Sequence, residues 1–72
     1  MEYIFYIQGI HAVRVGLEDG IIETVERFDF SMGDFVSDFK LINRINDNLD
    51  CKKVSEKEFC QYIMLSHKQS LN

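Results

Sequence analysis

Asp19-Gly20 constrains this chain more than any other pair of residues, because an Asp-Gly pair supplies the positive φ angles that a tight hairpin loop demands, and runs of strand-forming side chains flank it. Before it, Val13, Val15 and Leu17 alternate with Arg14 and Gly16, which is the period of a half-buried strand. After it come Ile21, Ile22, Val25 and Phe28, interrupted by Glu23, Glu26 and Arg27. The facing of this third strand depends on the loop, since two-residue and three-residue loops give opposite registers. Upstream, Glu2-Tyr3-Ile4-Phe5-Tyr6-Ile7 is β-branched and aromatic, as strands are, and Gln8-Gly9 offers a first turn. Without that turn, residues 3–17 become one long strand bent by a bulge at Gly9.

The second half of the chain carries two helix-start signatures. Ser31 precedes Met32-Gly33-Asp34-Phe35, so its hydroxyl is placed to cap a first turn, Asp34 to complement the helix dipole, and Phe30 to staple onto Phe35. Ser55 and Glu58 form a capping box, with Val54 stapling onto Phe59. The expected helices cover about 32–46, presenting Met32, Phe35, Val36, Phe39 and Ile42, and about 56–68, presenting Phe59, Cys60, Ile63 and His67. Asn46-Asp47-Asn48 stops the first, and Lys52-Lys53-Val54 is extended in character but short for an edge strand. With no proline, repeat or low-complexity tract to mark a linker, the expectation is a single α+β domain over residues 1–72. Its architecture is a small antiparallel β-hairpin or three-stranded meander followed by two packed α-helices.

Charge limits the partners. Residues 1–50 hold ten acids against four bases, and 51–72 two acids against four, for a net of −4. An acidic chain is a poor fit to a phosphate backbone, so direct nucleic-acid binding is not expected. No apolar run reaches the length needed to span a bilayer, no basic signal region opens the sequence, and a cytoplasmic protein is the default expectation. Cys51 and Cys60 have neither the Cys-x-x-Cys spacing nor enough companions for zinc, and they are expected to be reduced and structural.

Catalytic and cofactor patterns are weak. His11 and His67 lie far apart, Cys60 and His67 cannot meet along one helix, and the four glycines form no phosphate-binding loop. Asp34 and Asp38 fall one turn apart on the expected first helix, where an ordinary polar face accounts for them better than a metal site. No enzyme activity, cofactor or metal is expected.

An apolar surplus remains. Leu41 and Ile45 lie on a flank of the first expected helix, Tyr62 and Leu65 on a flank of the second, and one core does not readily bury all four. Either the flanks face each other inside the fold, a reading as open as exposure for Ile45 and Tyr62, or they form an exposed patch, the reading favoured for Leu41 and Leu65. The sequence therefore reads as a non-enzymatic protein–protein interaction module, a small regulatory or inhibitor protein that binds another protein or itself as a homodimer. The expected contact set is Leu41, Ile45, Tyr62 and Leu65, rimmed by Asp34 and Asp38. Two other readings stand beside it. One is a small-molecule-binding homo-oligomer using Tyr62 and Lys57. The other is an acidic nucleic-acid mimic built from Glu18, Asp19, Glu23, Glu26 and Asp29.

Overall fold

The structure, a computed structural model, describes residues 1–46 and 51–70. The chain runs β1 (Glu2–Gln8), β2 (His11–Glu18), β3 (Ile21–Asp29), β4 (Asp34–Ser37), α1 (Leu41–Asn46), β5 (Cys51–Val54) and α2 (Glu56–Ser70). The strands form one antiparallel sheet in the order β4-β3-β2-β1-β5. This corrects the expected meander followed by two packed helices: the molecule is mostly a five-stranded sheet. The helix stop expected at Asp47-Asn48 and the side chain of His67 lie outside the described residues.

Both early turns form. Gln8 pairs with His11 across Gly9-Ile10, with Gly9 at φ +59°, so the first two strands are a hairpin and not one bent strand. Glu18 pairs with Ile21, and Asp19 and Gly20 take φ of +54° and +80°, as a two-residue loop of the primed type requires. The facing of β3 is settled by an irregularity that neither loop length anticipates. Leu17 opposes Ile22, but Gly16 opposes Thr24, leaving Glu23 as an extra residue in a bulge. Ile22 and Val25, three positions apart, thereby come to share the face of Leu17 and Val15.

The largest departure lies at residues 30–40. The Asp29 carboxylate accepts from Ser31 N (2.9 Å), Ser31 Oγ (2.6 Å) and Met32 N (3.1 Å). Gly33 N donates to Asp29 O at 2.8 Å, and Gly33 adopts φ +71°. These bonds make a single turn that a left-handed residue then reverses, so Ser31 sits in a hairpin loop instead of capping a helix. Phe35 and Val36 pair with Phe28 and Arg27 as edge strand β4, and only Leu41–Asn46 of the expected first helix is helical. The second start is as expected: Glu58 N donates to Ser55 Oγ at 3.1 Å, and Ser55 N to Glu58 Oε1 at 3.3 Å.

Alternation gives the sheet two unlike faces. Val13, Val15 and Val25 point to one, where Leu41 and Ile45 of α1 complete a buried cluster joined by Tyr6, Leu17, Ile42 and Cys51. Tyr3, Phe5, Arg14, Gly16, Phe28 and Phe35 point to the other, where Phe59 of α2 packs. The helices therefore cover opposite faces, which is the second correction to a packed pair. Phe39, placed at the centre of the expected first helix, is 52% exposed in the turn before α1.

Candidate functional site

The face that α2 covers is only partly closed. Cross-strand pairing sets Phe5 beside Arg14, Arg14 beside Glu26 and Phe28 beside Phe35. Phe59 descends from the first turns of α2 with its ring centroid 4.8 Å from that of Phe5, and it lies stacked over Phe35 at 6.1 Å. Phe28 meets Phe35 edge-on at 5.2 Å and Phe30 at 5.1 Å. Between the α2 side chains Cys60, Ile63 and Met64 and this ring-bearing sheet runs an open cleft of about 510 Å³. That size lies within the range of small-molecule sites.

One cation sits among the rings. The Arg14 guanidinium lies 3.7 Å from the Phe35 centroid and 5.1 Å from that of Tyr3, and its Nε donates to Glu26 Oε1 at 3.0 Å. Gly16, next on the same face, leaves room for Tyr3 and Met1 to lie over it. Thr24 Oγ1 beside it is buried and has no hydrogen-bond partner among the described residues. Glu56 stands exposed at the mouth of the cleft.

The residues singled out by sequence do not converge. Leu41 and Ile45 are 6% and 7% exposed and belong to the core on the opposite face, so they are removed from any surface contact set. The six-residue α1 presents its apolar flank to a sheet that needs it, and that is why these two side chains exist. Tyr62 is half-buried and donates from its hydroxyl to Ile10 O at 2.9 Å, tying α2 to the β1–β2 turn. Leu65 is 64% exposed beside exposed Met64. Asp34 and Asp38 are not one helical turn apart: Asp34 opens β4 and accepts from Phe35 N at 2.7 Å, and Asp38 follows β4 and accepts from Arg27 Nε at 3.2 Å. Of the acidic mimic set, Glu26 is paired with Arg14, Asp29 with Arg27, and Glu18 with the terminal ammonium. Lys57 is exposed.

Sequence reading missed the cleft residues as a group, and the signal was present. Arg14 and Gly16 alternate with the core valines, so they must share a face with something. Tyr3 and Phe5, on the neighbouring strand, are what they share it with. Cys60 is exposed at the cleft, not packed on a buried helix face, whereas Cys51 is partly buried and burial pushes its thiol pKa up.

Among the described residues no group of three His, Cys, Asp or Glu side chains is placed to hold a metal ion, and no helix is long and apolar enough to cross a membrane. Neither a family model, nor a curated protein, nor a solved structure matches the chain.

Proposed function

We propose that the protein is a non-enzymatic binding module whose working surface is the cleft between α2 and the sheet. The observation that carries this reading is the concentration of Tyr3, Phe5, Phe28, Phe35 and Phe59 around an open space of about 510 Å³ on a face that a single helix only half covers. Rings on a rigid sheet offer apolar area at low entropic cost. Screening small aromatic fragments by amide chemical shifts is the test. Shifts centred on Phe28, Phe35, Phe59 and Ile63 support the reading, and binders that cluster elsewhere overturn it.

A second reading rests on a different observation. Met64 and Leu65 are adjacent, large and exposed on α2, Met64 at the cleft and Leu65 outside it, an arrangement that fits contact with another protein or a second copy of this chain. Leu65→Lys then weakens self-association or partner capture while circular dichroism stays native. Unchanged sedimentation and unchanged capture count against it.

A further inference from the structure

We infer that the cleft takes an apolar carboxylate, a small molecule with a flat aromatic body and one anionic group bound by Arg14. This deepens the cleft-binding reading and rests on it. Five rings from β1, β3, β4 and α2 form walls suited to a flat apolar body, which stacks on or against them at centroid distances like those the rings keep with one another. The polar end of the ligand is specified by what Arg14 leaves unused. Only Nε of its guanidinium bonds to protein, through Glu26, and among the described residues neither terminal nitrogen has an acceptor. A guanidinium carries five N–H donors in a fixed fork, so the end facing away from Glu26 offers a parallel pair matched to the two oxygens of a carboxylate.

The side chain is also held in place for that role. Phe35 lies under the guanidinium plane at 3.7 Å, Tyr3 flanks it at 5.1 Å, and the Glu26 bond fixes its edge. A preorganised fork loses little entropy on binding. Its half-buried setting raises the strength of a charge-assisted bond above that of the same pair in water. Two carboxylates oppose an anion there: Glu26, which bonds Nε and balances part of the Arg14 charge, and Glu56, exposed on the cleft lining and, among the described residues, without an ion-pair partner. The Glu56 carboxylate repels a bound anion weakly, and its removal favours binding.

Calorimetric titration with three isosteres, 2-naphthoate, naphthalene-2-methanol and 2-naphthylmethylammonium, separates the body from the charge. The expected result is 2-naphthoate binding about tenfold tighter than the alcohol, with the ammonium weakest. Arg14→Gln abolishes the preference for naphthoate over the alcohol, and Glu56→Gln tightens naphthoate by about twofold. If Arg14→Gln fails to fold, the wild-type series and Glu56→Gln decide alone. Equal affinity for naphthoate and the alcohol, or a preference for the ammonium, overturns the anion while leaving the aromatic cleft standing. Absence of binding by all three overturns the cleft reading as well.

Discussion

A methyl group on Gly16 would collide with Thr24 Oγ1 and come within 2.7 Å of Met1 Sδ and 3.1 Å of Tyr3 Cε1. The sulfur end of Met1 can swing away, but Thr24 is fixed in β3. Gly16→Ala should therefore destabilise the fold by about 1–3 kcal/mol, the usual penalty for overpacking, as read by denaturant unfolding. The two phenylalanines of the helical regions make a sharper contrast. Phe59, 2% exposed and against Phe5 and Phe35, should cost about 3–5 kcal/mol when replaced by alanine. Phe39→Ala, at a half-exposed position, should stay within about 1 kcal/mol. A reversed order would mean that α2 does not seat on the sheet as described. Sequence reading ranked Phe39 as a core residue because its spacing from Phe35 and Ile42 suits a helix. The same spacing arises by chance when a strand, a turn and a short helix follow one another, and Leu41 was misjudged for the same reason.

Elements whose signals are local were legible: both tight turns, the alternation of β2 and the capping box of α2. Ser55→Ala should destabilise by about 0.5–2 kcal/mol, since Glu58 N loses its acceptor, and Glu58→Ala should not be additive with it because the two side chains bond each other. The β3–β4 hairpin was illegible because Ser31 and Asp34 satisfy the chemistry of a helix start and of a loop equally well. What decides is the cross-strand pairing of Phe35 with Phe28 and Val36 with Arg27, which the loop chemistry alone does not encode. The loop leaves a signature in pH. Hydrogen bonds from Ser31 Oγ and Met32 N, with the Arg27 charge, hold the Asp29 carboxyl below the usual carboxylate range. A folded-state pKa below that of the unfolded chain stabilises fully above about pH 4 and ceases to do so as the pH falls through the folded value. Asp29→Asn should flatten the acid limb of a stability profile measured between about pH 5 and 2, and an unchanged slope would contradict the loop geometry.

At the scale of the whole molecule, the sheet separates two environments. Cys51 belongs to the side closed by α1, and Cys60 to the side of the cleft. Under native conditions an alkylating reagent should modify Cys60 faster than Cys51, since Cys51 is partly shielded and burial pushes its thiol pKa up. The layered plan was beyond sequence reading because nothing in the periodicity of Leu41 or Phe59 says that their helices go to opposite sides, and β5, four residues long, carries too little pattern to announce itself.

The position of β5 also bears on how the molecule comes together. β1 to β4 join neighbours through short loops and can zip from any of three hairpins, whereas β5 must find β1 across most of the chain, setting Gln8 beside Cys51 and Phe5 beside Val54. Closing that loop is an entropic barrier that the hairpins do not face, so strand β5 and the helix behind it dock late. The rings of Tyr3, Phe5, Phe28 and Phe35 are then bare on a half-built sheet until Phe59 arrives. Because β1 to β4 precede α2 along the chain, this aromatic face is complete in sequence before its cover is, and an occupant that settled on the bare rings would compete with Phe59 for Phe5 and Phe35.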